Sequence, residues 1–208
     1  MKILVLSDVA DKALWDYLDR SLLDGIDLVL SCGDLPSEYL SFLTCFTDAP
    51  ILYVCGNHDS GYEAHPPEGC VCVDGDIYVH QGVRVLGLGG SMRYRPGSNM
   101  FTEREMRRRV QRLWWKLWRR RGFDILLTHA PARGVNDFDS LTHRGFETFN
   151  RFIEKHHPAY LVHGHIHQNY GVHIPQVSEW NGTTIINAYE HCVFYIGGAT
   201  NGTDHNAG

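Results

Sequence analysis

The chain has 208 residues, 43% of them hydrophobic and 21% charged, with a formal net charge of −5 and 13 histidines. That length carries a sizeable core, and the composition excludes disordered, collagen-like and low-complexity chains. No apolar run reaches the roughly 18 residues of a spanning helix, and no cleavage pattern follows Met1-Lys2-Ile3-Leu4, so the sequence predicts a soluble, cytoplasmic protein.

Strands are predicted over 2–7, 27–31, 51–55, 77–80, 83–88, 124–128, 159–162 and 183–187, where short apolar, β-branched runs meet small or polar clusters. Helical periodicity falls near 12–23, 37–47, 101–121 and 144–156. The first three strands alternate with helices as in βαβ units of a parallel sheet. Between about 70 and 90 the strands crowd together, which indicates hairpins and a second or mixed sheet. No linker or repeat is visible, so 1–197 reads as one domain, with 198–208 a mobile tail. The cysteines (Cys32, Cys45, Cys55, Cys70, Cys72, Cys192) sit mostly in apolar runs and read as free thiols of a reducing compartment.

The chemistry stands just beyond the strands. Asp8 follows the first, Gly33-Asp34 the second, Gly56-Asn57-His58-Asp59 the third, His129 the strand at 124–128, and His163-Gly164-His165-Ile166-His167 the strand at 159–162. In an open α/β sheet the carboxyl ends of the strands line one crevice, so residues far apart in sequence converge there. Carboxylates, an amide oxygen and imidazoles form a donor set suited to manganese, iron or zinc. Each piece alone reads blandly as a cap, a turn or a strand residue; the ordered set does not.

That ordered set, with Thr128-His129-Ala130-Pro131, resembles the calcineurin-like metallophosphoesterase superfamily over about residues 1–170, and most closely its small phosphodiesterase-like members. The resemblance implies a four-layer αββα sandwich, two mixed β-sheets flanked by helices, with a dinuclear metal site at the strand ends. By position, Asp34 would bridge two divalent ions, Asn57, His129 and His165 would complete one site, and Asp8 and His167 would serve the other. His58 matches the catalytic histidine, with Asp59 orienting its ring. The implied activity is hydrolysis of a phosphodiester or phosphomonoester by a metal-bridging hydroxide. The usual first motif, Asp-x-His, here reads Asp8-Val9-Ala10, so one ligand is missing. Water or Asp11 could fill the place, and Asp11 reads equally well as a helix cap. A site short of an imidazole favours manganese over zinc and holds its ion weakly, which keeps open a catalytically weakened metal-binding scaffold.

Two loops carry candidate substrate residues: Arg93 and Arg95 in Gly89–Gly97, and Arg133 beyond His129. Residues 104–121 hold nine Lys or Arg and one acid, a net of +8, which leaves −13 for the rest of the chain. Met106, Val110, Leu113, Trp114, Leu117 and Trp118 share one helical face, so this stretch is expected to cover the sheet with its arginines solvated or salt-bridged, while Trp115 lies off that face and reads as a contact surface. The basic face also admits nucleic acid or an anionic membrane as partner, and with nucleic acid a nuclease activity. His163 reads as a packed strand residue, and His65, His80, His143, His156, His157, His173, His191 and His205 as structural or surface residues.

Overall fold

A computed structural model of the protein describes residues 1–167 and 174–197; the expected tail, His173 and His205 lie outside them. In chain order the elements are β1 (Lys2–Ser7), α1 (Lys12–Trp15), β2 (Leu28–Ser31), α2 (Ser37–Leu43), β3 (Ile51–Tyr53), β4 (Val71–Cys72), β5 (Ile77–His80), β6 (Val83–Leu88), β7 (Ser91–Met92), β8 (Met100–Phe101), α3 (Glu103–Arg112), α4 (Trp114–Arg120), β9 (Ile125–Thr128), α5 (Glu147–His156), β10 (Tyr160–His163), β11 (Val177–Trp180), β12 (Thr183–Asn187) and β13 (Glu190–Tyr195). Every strand expected from the sequence is present.

The first sheet has the order β13-β1-β2-β3-β4, the second β11-β12-β10-β9-β6-β5, and β7 pairs with β8 in a small ribbon. β1 to β4 run parallel with β13 antiparallel at the edge, and β6, β9, β10 and β12 run parallel between antiparallel β5 and β11. Side chains alternate across a strand, and here both faces are apolar. Ile3, Val5, Leu28 and Leu30 meet Val85, Ile125, Leu127 and Val162 between the sheets. Leu4, Leu6 and Val29 turn the other way onto Leu14, Tyr39 and Leu40 of α1 and α2. Leu86, Leu126 and Leu161 pack against Met106, Leu117, Phe149 and Phe152 of α3, α4 and α5. These clusters are the three interfaces of four layers, as the family resemblance implied.

Two expected helices are broken. The stretch 12–23 is α1 followed by a 3-10 turn at Arg20–Leu23, because Leu18 turns left-handed (φ 48°) and the Asp19 carboxylate accepts the Ser21 N–H to start a new turn. The stretch 101–121 opens on a capping box between Thr102 and Glu105 and divides at Leu113. That break corrects the expected apolar face: Met106, Leu113 and Leu117 are buried, whereas Trp114 and Trp118 are exposed. All six cysteines are free thiols.

At the entry to β6 and β9, the Arg84 side chain donates to both Asp124 oxygens at 2.5 and 2.9 Å. These bonds hold the Asp124 carboxyl below its ordinary range. A depressed acid stabilises the fold above its unfolded pKa, and that stability fades as pH falls through the folded value. Asp124→Asn is therefore expected to cost about 1 kcal/mol or less near neutrality, the pair being partly exposed, and to flatten the acid limb. Urea midpoints at neutral and acid pH measure this; an acid limb equally steep in the variant would contradict it.

Candidate metal centre

β1, β2, β3, β9 and β10 deliver their following residues to one edge of the sandwich. Three turn left-handed immediately after a strand or a glycine: Asp8 (φ 66°), Asp34 (φ 56°) and His165 (φ 67°). Non-glycine residues rarely adopt this conformation, and it concentrates at functional sites. The strand-end loops touch through glycine. A Cβ on Gly33 (φ 94°) would lie 2.2 Å from the Gly56 nitrogen, and one on Gly164 2.7 Å from an Asp8 carboxylate oxygen.

Hydrogen bonds settle which atoms face inward. The His129 Nδ1 lies 2.8 Å from the Cys32 carbonyl, so in the neutral ring that nitrogen carries the proton and Nε2 keeps its lone pair. The His165 Nε2 lies 2.7 Å from the Thr142 carbonyl, which leaves Nδ1 as the acceptor. These lone-pair nitrogens stand 3.1 Å apart, with Asn57 Oδ1 3.1 Å and Asp34 Oδ2 3.4 Å from His129 Nε2. Four acceptors aimed at one point repel one another unless a cation lies among them, and two nitrogens with two oxygens suit a divalent metal. Asp34, His129 and His165 each present a ligand atom within 4.8 Å of the others.

The titration behaviour follows from this crowding. Burial alone would lower His129, but Asp34 and Asp8 raise it to about 9, so without a metal the ring takes a second proton on Nε2 and is itself the cation among the acceptors. Burial and the neighbouring His129 drive His165 down to about 3. Burial favours a neutral Asp34, yet His129 wins and holds it at about 2. The second group is sparser: His167 Nε2 lies 3.6 Å from Asp8 Oδ1, and its ring packs 4.8 Å from that of Tyr189. Asp8 accepts the His165 N–H at 2.8 Å, joining the two groups through one loop.

Both Asp11 carboxylate oxygens are engaged away from the ligand cluster. One carboxylate oxygen accepts the Ala13 N–H at 2.6 Å as the cap of α1, the other pairs with His191, and Ala10 packs on the outer core.

His58 is exposed, and its backbone N–H donates to Asp34 Oδ1 at 2.8 Å. Asp59 departs from its expected role of orienting the His58 ring. It is buried, and one carboxylate oxygen accepts the N–H groups of both Asp34 and Gly56 at 2.7 Å, while burial raises its pKa to about 6. Asp59 thus joins the loops after β2 and β3. Asp59→Ala, which orphans two amides, is expected to cost on the order of 3 kcal/mol in a urea melt, and Asp59→Asn much less. An activity loss with unchanged stability in Asp59→Ala would instead support action on the ring.

The candidate substrate arginines are engaged with neighbouring groups of their own. Arg93 pairs with Glu105 at 2.9 Å, Arg133 forks onto Asp137 and Asp139 at 2.8 and 2.5 Å, and Arg95 lies over the Tyr94 ring at 5.4 Å. Among the described residues none of them bonds to the ligand cluster. His163 is fully buried at the end of β10, as expected of a packed strand histidine, and burial lowers it to about 4. His143 stands closer to the site than a surface residue would, its ring 5.6 Å from that of His165. The carbonyls of Cys32 and Thr142, which set both tautomers, had no side-chain signature in the sequence. Nor had Asn187, whose amide nitrogen donates to the Ile166 carbonyl at 2.8 Å and braces the His165-Ile166-His167 loop.

A UPF0046 protein of Caenorhabditis elegans is 25% identical over 189 residues, an alignment covering 76% of this chain and 63% of that protein, so the chain spans less than two thirds of that relative. Among solved structures, protein TT1561 of Thermus thermophilus aligns with a TM-score of 0.62 at 16% identity, over 91% of this chain and 89% of its own. A 5'-nucleotidase from Candida albicans aligns with a TM-score of 0.52 at 13% identity, over 90% of this chain and 44% of its own. At these identities the structural likeness is one of fold. The family pattern described as calcineurin-like phosphoesterase matches residues 1–169, a span from β1 through the last histidine of the cluster, and the chain belongs to that family.

Proposed function

We propose that this chain is a hydrolase of small phosphodiesters or phosphomonoesters that works with two divalent ions, manganese foremost. Asp34, Asn57, His129 and His165 would hold one ion, and Asp8, Asp34 and His167 the other. The observation that carries this reading is the convergence of four acceptor atoms whose outward-facing ring nitrogens are already committed to carbonyls. Bound divalent ions would lower the pKa of water and neutralise charge on the phosphoryl oxygens.

The chain's own residues supply the rest. Burial of His129 and His165 keeps solvent from competing for their nitrogens. His58, exposed beside Asp34 and anchored by its backbone, can hand a proton to the leaving oxygen. The cap role of Asp11 leaves the Asp8 group without a replacement for the missing imidazole among the described residues. Dialysis is therefore expected to leave one firmly held ion per chain and remove the second; two ions retained equally would overturn that asymmetry. Activity on an activated diester and an activated monoester, assayed with manganese, iron and zinc, tests the whole reading. Turnover that disappears on chelation and returns with manganese supports it. A chain that binds metal and turns over neither ester would be a metal-binding scaffold.

A further inference from the structure

The break at Leu113 creates a surface that the phosphoesterase reading does not use. Trp114, Trp115 and Trp118 are 65%, 51% and 68% exposed, on a helix where Trp114 and Trp118 were expected to face inward. Beside them an open groove of about 500 Å3 runs between α3, α4 and α5, floored by Val110, Leu117 and Phe152. Arg107, Arg151 and Lys155 rim it. Of the cations in 104–121, Arg109 is tied to Asp74 and Lys116 to Asp76. Among the described residues, Arg107, Arg108, Arg112 and Arg119 have no ion-pair partner. An apolar floor, a tryptophan cluster and a cationic rim on a segment of +8, in a chain whose remainder is −13, call for an occupant that is both apolar and anionic.

We propose that this face docks on a membrane surface containing anionic phospholipid. The tryptophans would enter the headgroup region, and the arginines would meet the lipid phosphates and carboxylates. The arrangement of the rings favours a bilayer over a nucleic-acid strand. Trp115 and Trp118 stack on each other at 4.8 Å and Trp114 packs edge-on against Trp115 at 5.6 Å. They form one apolar knob, not a series of open platforms for successive bases, and the aliphatic floor of the groove suits hydrocarbon. The groove also leaves the metal centre free. It is lined by His156 and Gly122, which precede β10 and β9, whereas the ligands follow the opposite ends of those strands.

Sedimentation of the full chain with vesicles of phosphatidylcholine alone, and with roughly a quarter phosphatidylserine, tests the proposal. At least tenfold tighter binding to the serine-containing vesicles is expected, with tryptophan emission moving to shorter wavelength. The double variant Trp114→Ala/Trp118→Ala should lose at least tenfold in binding, and Arg107→Glu/Arg151→Glu should fall to the level of phosphatidylcholine. All four side chains are exposed, so melting temperature and retained metal should match the parent. No binding to the serine-containing vesicles, or binding indifferent to both double variants, would overturn the proposal. Tighter, tryptophan-dependent binding of a labelled oligonucleotide would assign the face to nucleic acid instead.

Discussion

His165→Ala is expected to release the firmly held ion and, with it, activity. The His165 ring presents Nδ1 to His129 and lies in one cluster with Asp34, while its Nε2–H is fixed on the Thr142 carbonyl, so the imidazole is a pre-aligned donor. Changes to residues that merely support a ligand typically cost tenfold to a hundredfold in metal affinity; loss of the ligand itself should cost at least about a hundredfold. Asn57→Ala removes the oxygen 3.1 Å from His129 Nε2 and should act in the same direction. Metal analysis after dialysis, together with a melt of the chelator-treated protein, separates lost ligation from lost folding. A variant that kept its metal at the parent level would remove His165 from the ligand set.

His58→Ala should do the opposite: retain metal and lose turnover. The link between His58 and Asp34 is made by the backbone N–H, which alanine also has, so the Asp34 carboxylate should stay where it is. What disappears is an exposed imidazole able to donate a proton, and general acid catalysis contributes roughly 10²- to 10⁴-fold. The loss should appear in kcat, and be smaller for an ester with a leaving group that needs no proton. A variant hydrolysing both kinds of ester at the parent rate would deny His58 a catalytic role.

Much of the site was legible because its residues follow strands, and a strand is the easiest element to read from a short apolar run. Asp8, Asp34, Asn57, His129, His165 and His167 could be grouped from that position alone, and the five loops that carry them do leave the same edge of the sandwich. Asp11 could not be resolved in the same way. A carboxylate two residues before the Ala13 amide is as good a cap as a ligand until the position of His191, far along the chain, is known. Asp59 misled for a related reason: adjacency to His58 in sequence suggested contact with its ring, while the fold brings the amide of Asp34 to it instead.

The basic segment shows the same division. Periodicity correctly turned Met106, Val110, Leu113 and Leu117 toward the core, but one helix continued through Leu113 placed Trp114 and Trp118 inside. The edge strand β13 was also invisible, because its alternation in burial is weak and its pairing with β1 joins Lys2 to Tyr195. Local pattern therefore determined most of the strands, the strand ends and the kinds of donor gathered there, since these depend on side-chain period and residue chemistry, while the four layers followed from the family resemblance. Tertiary structure alone decided the tautomers of His129 and His165, the duties of Asp11 and Asp59, and the exposure of Trp114 and Trp118. Each of those depends on a backbone carbonyl, a backbone amide or a helix axis brought close by folding, and none of these leaves a mark in the order of side chains.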